Sequence, residues 1–313
     1  MVALVFIYNH RYDKNIPLLE EIYKDRFSHI FHIVPFYDGG KENVITVYEH
    51  SFYFQGYIAQ ASKELKSKGD FEHFLFVGDD LLLHPEINEN NYKEFFQVGR
   101  EDSFITFIRT LAETGDSGVD LFIMHLAMFF KFPDKPGSGL EIMNQLPSYE
   151  QALKKFQEKG FDKPFIRPEH VYRPPKRTDF KKGLIGEYFY KKRIKEVKEL
   201  LKQEKVEVAF PMVNGFSDLL ILPKTDFDQF ARYCGLFAAA RMFVEYAVPT
   251  IMLLVCKKVV TQNDLDKKAL LLWDDDRVKF EKKYNLYFDN LVNNFPDDIL
   301  YVHPVKLSKW NKN

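Results

Sequence analysis

The chain opens with short apolar runs separated by stretches of helical periodicity. Residues 3–8, "ALVFIY", form an uninterrupted apolar run, the pattern of a strand buried on both faces. Residues 15–27, "NIPLLEEIYKDRF", place apolar side chains at helical spacing. "HIFHIVPFY" (29–37) predicts a second strand, closed by the turn signal "DGGKEN", and "VITVYE" (44–49) a third, shorter one. "FQGYIAQASKELKSKG" (54–69) predicts a helix stopped by Gly69. "HFLFV" (73–77) is a further strand, and it runs directly into Asp79 and Asp80. Strand–helix–strand alternation predicts an α/β fold with a mostly parallel mixed sheet flanked by helices. In such sheets ligands sit beyond the carboxyl ends of the strands. Both "YNHRYD" (8–13) and "GDD" (78–80) fall at such ends, so the two are expected to share one crevice.

Regularity is lost between about 100 and 205. "FPDKPGSG" and "RPEHVYRPPKR" are rich in turn and charge signals, and "KKRIKEVKELLKQEK" (191–205) has the apolar stripe and basic remainder of a solvated amphipathic helix. Strand patterns return with "VEVAFPMV" (206–213) and "DLLILP" (218–223), bracketing a turn-type "NGFS". A long apolar helix follows over 226–248, stopped or kinked at Pro249. Residues 274–295 read as one capped amphipathic helix, and "ILYVHPV" (299–305) as a last strand carrying His303. The expected organisation is a single domain over 1–313. Residues 1–110 form a nucleotide-binding half, 111–205 an inserted acceptor region, and 206–313 an acceptor half with a closing segment.

Composition narrows the function classes. With 44 basic and 45 acidic side chains the net charge is −1, so no basic excess points to nucleic acid. Two cysteines, Cys234 and Cys256, make no disulfide framework and read as core residues in a reducing compartment. The longest uncharged apolar stretch, 246–256, falls short of the ~20 residues that a membrane span needs. A soluble, cytoplasmic protein is expected, with peripheral membrane contact left open and the oligomeric state undetermined. There is no Walker loop, GxGxxG, HExxH or GxSxG.

What remains is the acidic pair at the end of a strand. Adjacent carboxylates repel, and either is costly to bury unpaired. Hard carboxylate oxygens suit Mg2+ or Mn2+, and such an ion could bridge a diphosphate. The plain alternative is that Asp79 caps a turn and Asp80 pairs with a lysine. "WDDD" (273–276) is a second acidic cluster, better explained by the start of a helix.

An apolar strand ending in two acidic residues and followed by more apolar residues resembles the Asp-x-Asp-type metal motif of A-type-fold glycosyltransferases. The likeness extends loosely over 3–110 and 206–255, although here the carboxylates are adjacent. The tail, "YVHPVKLSKWNKN", resembles the closing His-x-x-Gly-x-x-Lys-Pro-Trp element of retaining, glycogenin-like enzymes, without its glycine and proline. The resemblance implies an A-type, Rossmann-like nucleotide-binding architecture and transfer of a hexose from a nucleotide diphosphate sugar to a glycan or glycolipid-type acceptor, with retention of configuration if the tail match is followed and, with the tail set aside, inversion with Asp218 as base as the equal alternative. It implies Asp79, Asp80 and His303 at a Mn2+ or Mg2+ ion, Lys309 on the diphosphate and Trp310 as packing. "IYNHRYDKN" would be the nucleotide loop, with Tyr8 or Tyr12 stacking on the base, Asn9 at its edge and Arg11 on phosphate. Asp38 would contact base or ribose. Asp218 and Glu245 are the candidates for contacting the sugar or acting as base; a bridge from Glu245 to Arg241 is the plain alternative for the latter. His303 could equally be an ordinary half-buried strand histidine. A sugar nucleotidyltransferase and a non-catalytic nucleotide-binding scaffold are the competing readings; the first lacks its glycine-rich loop here.

Overall fold

The computed structural model describes residues 1–113, 124–133, 138–163, 165–167, 199 and 202–311. The described strands are β1 (Val2–Ile7), β2 (Ile30–Pro35), β3 (Val44–Val47), β4 (His73–Gly78), β5 (Leu82–Leu83), β6 (Asp102–Ile105), β7 (Ile108–Thr110), β8 (Val213–Gly215), β9 (Leu219–Pro223), β10 (Lys258–Val260), β11 (Lys268–Leu271) and β12 (Ile299–His303). Two compact units emerge. The first comprises Met1–Phe107, Phe216–Gly235 and Val255–Asn313, and the second Ile108–Gly215 and Leu236–Leu254.

The first unit is α/β, built on a seven-stranded sheet of order β10-β6-β9-β4-β1-β2-β3. Its pairings are parallel except at β9, which runs antiparallel to both β4 and β6. Every residue of β1 and β4 is buried. That is why their sequences are continuous apolar runs rather than alternating ones. Full burial of a side chain such as Phe6 or Leu75 contributes about 1.5–3 kcal/mol. Helix α1 (Asn15–Tyr23) turns Ile16, Leu19 and Tyr23 inward, and α2 (Gln55–Ser67) turns Tyr57, Ile58, Ala61 and Leu65 inward.

A second, three-stranded sheet of order β11-β12-β5 belongs to the same unit. Its β5 follows Asp80 at once and pairs antiparallel with β12, Tyr301 opposite Leu83 and Val302 opposite Leu82. The apolar residues after the acidic pair therefore hold the chain's last strand in place. Tyr23 Oη, buried under α1, accepts from the Leu83 N–H at 3.0 Å and fixes the same segment from the other side.

The second unit contains the antiparallel pairing of β7 with β8, strands far apart in sequence, and helix Val244–Val255. Three sequence expectations fail, each for a physical reason. The long helix is interrupted at 240–243, where Arg241 takes a left-handed backbone (φ 57°), not at Pro249, which lies inside helix Val244–Val255. Pro249 lacks the N–H that would bond the Glu245 carbonyl. That carbonyl instead faces the Asn214 amide at 3.4 Å, and the Thr250 hydroxyl accepts from Val213 N–H at 3.2 Å. Residues 206–213 do not form a strand: Val206 makes one isolated bridge to Ile166, and pairing begins only at Val213, beyond Pro211. The expected helix over 274–295 is two, Asp274–Lys283 and Phe288–Asn293, broken where Asn285 and Leu286 both take positive φ. The first is not side-chain capped, although three aspartates occupy its first turn. "RPEHVYRPPKR" and most of the helix expected over 191–205 lie outside the described residues. Among the described residues no helix is long and apolar enough to cross a membrane.

Candidate functional site: a carboxylate cluster at the carboxyl edge of the sheet

Strands β1 and β4 are parallel neighbours, with Ile7 opposite Gly78, so the loops that leave them are adjacent. The Asp79 N–H continues the ladder to Ile7 C=O at 3.0 Å, and the Gly78 N–H bonds the Asp218 carbonyl at 2.8 Å. Asp218 is there because β9, which follows it, pairs antiparallel with β4. From the other sheet, Val305 N–H donates to the Asp80 carbonyl at 2.6 Å, just past the end of β12. Three distant stretches of chain thus deliver Asp79, Asp80, Asp218 and His303 to one place.

The two adjacent aspartates have different surroundings. Asp79 is buried, and its carboxylate accepts from the Asn15 side-chain amide at 2.8 Å and from the Asn9 backbone. Burial, then the neighbouring charge of Asp80, pushes its pKa up to about 7 against those two hydrogen bonds. Asp80 keeps 26% of its side chain exposed and meets His303 Nε2 at 3.1 Å. Because an ionised carboxylate only accepts, that contact puts the imidazole proton on Nε2. Asp218 Oδ1 lies 3.9 Å from the same nitrogen. Burial raises the Asp218 pKa; His303 opposes the rise and Asp80 adds to it. Behind the cluster, Tyr301 Oη and Thr106 Oγ1 are hydrogen-bonded at 2.7 Å, and the Tyr301 hydroxyl is held above its ordinary pKa by burial.

As donors, Asp80, Asp218 and His303 offer two hard oxygens and an imidazole nitrogen, a set that suits Mg2+ or Mn2+. As the side chains stand, no group of three or more His, Cys, Asp or Glu among the described residues is arranged to hold a metal ion. Asp80 and His303 satisfy each other instead. A metal on Nε2 would have to displace the proton shared with Asp80, so its binding would weaken as the pH falls.

The other sequence candidates fall as follows. Tyr8 is fully buried, its hydroxyl 2.9 Å from His32 Nδ1, and presents no face to a stacked base; Tyr12 is 40% exposed. Burial lowers the His32 pKa to about 4. Arg11 lies along Asp13 (3.3 Å) and Asp38 (3.1 Å), joining the loops after β1 and β2. Arg11 holds the Asp38 carboxyl below its ordinary range. Lys309 is exposed on the turn Leu307–Lys309, while Trp310 is buried against Phe280. Glu245 belongs to the second unit, in the first turn of helix Val244–Val255, and is partly buried.

Sequence reasoning missed two residues here. Asn15 opens helix α1, where no side-chain cap bond exists, and its amide goes to Asp79. Trp273 reads as the prelude to a helix, yet it is 57% exposed and stands edge-on to His303, ring centres 6.0 Å apart. Only the second had a sequence signal, a tryptophan that ends the apolar run Leu270–Leu272 directly before three aspartates. No protein-family model matches the chain, and no curated protein is significantly similar to it.

Proposed function

We propose that the chain is a metal-dependent glycosyltransferase of the A-type fold, moving a hexose from a nucleotide diphosphate sugar to a glycan or glycolipid-type acceptor. The observation that carries this reading is the meeting of Asp80, Asp218 and His303 beside the β1 loop, at the carboxyl edge of a mostly parallel sheet. That edge is where open α/β sheets bind nucleotides. Asp80 and His303, with Asp218 beside them, are the residues that would hold the Mn2+ or Mg2+ ion. The bound ion would offset the charge that develops on a departing diphosphate. Asp79 serves the site from behind, tying the Asn9–Asn15 loop to the acidic turn. Arg11 and Lys309 are the cations available for phosphate, Arg11 after exchanging a carboxylate partner for it. Asp218 orients the sugar or the attacking hydroxyl.

Calorimetric titration of nucleoside diphosphates, with and without manganese, tests the reading. Binding strengthened by manganese is expected, with the strengthening abolished in Asp80→Asn and reduced in His303→Ala. Absence of nucleotide affinity in the wild type, with or without the metal, would overturn it.

A further inference from the structure

Trp273 is an exposed aromatic ring that stands edge-on to His303, the imidazole that Asp80 and Asp218 approach. Its position is dictated by register. Leu271 pairs with His303, and the Leu272 N–H bonds the His303 carbonyl at 2.7 Å. Side chains alternate along a strand. Trp273, two residues past Leu271, therefore returns to the face that carries the His303 imidazole. The two rings meet edge to face at 6.0 Å and 77°, and Phe216 packs on His303 in the same way at 5.3 Å and 73°. Immediately after Trp273 the backbone of Asp274 turns left-handed (φ 45°), a conformation that costs a residue with a Cβ and is kept where the surrounding structure demands it. That turn sends the chain into helix Asp274–Lys283 and leaves the indole 57% open to solvent.

An apolar ring bordered by carboxylates matches one ligand chemistry closely. A pyranose ring has a face of C–H groups, which lies favourably on the electron-rich face of an indole. Around its rim it carries hydroxyl donors, and ionised carboxylates are acceptors only. Asp80 and Asp218, 3.1 and 3.9 Å from Nε2 of the same imidazole that the indole meets, supply those acceptors. A purine or pyrimidine stacked there would present its N–H donors at one edge of the ring only, whereas a pyranose carries hydroxyl donors around its rim. We infer that Trp273 is the platform on which a sugar ring lies in this site, with Asp80 and Asp218 reading its hydroxyls. The inference rests on the transferase reading for its context but not for its test.

The chain has two tryptophans, and Trp310 is buried, so fluorescence quenchable by acrylamide reports Trp273. Panels of nucleotide sugars and of free mono- and oligosaccharides should each be titrated against wild type, Trp273→Ala and Trp273→Phe. The expected result is that a sugar ligand shields Trp273 from acrylamide. Its affinity should fall at least tenfold in Trp273→Ala and recover within about threefold in Trp273→Phe, while affinity for the matching sugar-free nucleotide changes less than twofold. Shielding by nucleotide sugars alone assigns the donor sugar, and shielding by free saccharides alone assigns the acceptor. If nucleotides bind but Trp273→Ala leaves every sugar affinity unchanged, the platform is overturned and the transferase reading stands. If no nucleotide binds but saccharides shield Trp273, the reverse holds. Shielding by phosphatidylcholine–phosphatidylglycerol vesicles and by no sugar would make this a membrane contact and overturn the inference.

Discussion

The two edges of the seven-stranded sheet handle negative charge in opposite ways. At the edge where the parallel strands begin, carboxylates meet lysines. Glu72 takes Lys93 at 2.8 Å, Glu101 takes Lys257 at 2.8 Å, Asp102 takes Lys258 at 3.0 Å, and Asp70 is in close contact with Lys224. The lysines hold Glu72, Glu101 and Asp70 below their ordinary pKa. At the edge where β1 and β4 end, the partners are different. Asp79 has amide donors and, among the described residues, no cation, and Asp80 has an imidazole that a third carboxylate also approaches. Asp79 and Asp218 both titrate above their ordinary range.

The difference separates charge that is merely solvated from charge that is retained at a cost. A surface carboxylate with a nearby lysine contributes little to stability either way. A buried carboxylate beside another carboxylate opposes folding whenever both are ionised. A sequence that could place an asparagine or a leucine at 79 and does not is keeping a liability, and such positions are where perturbed groups mark candidate sites.

The sharpest way to break this comparison is to remove the liability. Asp79 ordinarily titrates at 3.8 and in the fold at about 7, so the folded state holds its proton more tightly than the unfolded chain. Its contribution to stability is therefore complete below pH 4 and is lost as the pH rises through 7. At about 1.4 kcal/mol per tenfold change in proton affinity the whole loss is at most ~4 kcal/mol, of which roughly 2–3 falls between pH 5 and 8. In chelator, denaturation of the wild type should show that fall, and Asp79→Asn should not, ending the more stable of the two at pH 8. A parallel fall in both proteins would place the pH dependence elsewhere.

The next effect in size comes from the amide that makes the liability tolerable. Asn15→Ala deletes the hydrogen bond to the Asp79 carboxylate and should cost about 1.5–3 kcal/mol at pH 8, as for a bond to a charged group. At pH 5, where Asp79 is mostly protonated, the cost should shrink to that of a neutral bond, about 1 kcal/mol. A cost independent of pH would mean that Asn15 acts through helix α1 alone.

Much of the frame was legible because burial on both faces writes itself as uninterrupted apolar runs. β1, β2 and β4 read directly, and their carboxyl ends located the "YNHRYD" and "GDD" loops side by side. The failures came where a residue's partner is distant in sequence. Pro249 looks like a helix stop until the Asn214 amide takes up the Glu245 carbonyl. Asn15 is one more polar residue at a helix start until Asp79, 64 residues on, claims its side chain. Tyr8 belongs to the loop in sequence but to the core in space, because His32 on β2 takes its hydroxyl. Trp273 was hidden by its three aspartate neighbours, whose helix-start signal explains the charges and says nothing of the ring. Local pattern reports which face of an element is wet; it does not report which polar groups will find each other across it.

The smallest expected effect tests the other edge, and its sign is opposite. Lys93 holds the Glu72 pKa below the ordinary value, so that pair stabilises the fold above the unfolded carboxyl pKa and loses its contribution as the pH falls. The Lys93 side chain is 43% exposed and that of Glu72 25%, so solvent screens most of the attraction. Lys93→Ala should therefore cost under about 1 kcal/mol at pH 7, less still in about 0.5 M salt, and nothing measurable near pH 3. Thermal unfolding across that grid would show it. A loss above about 2 kcal/mol that salt leaves untouched would mean that this edge, too, holds charge in a dry environment. The contrast between the two edges would then be one of partner chemistry alone, lysine against amide and imidazole, and no longer one of solvation.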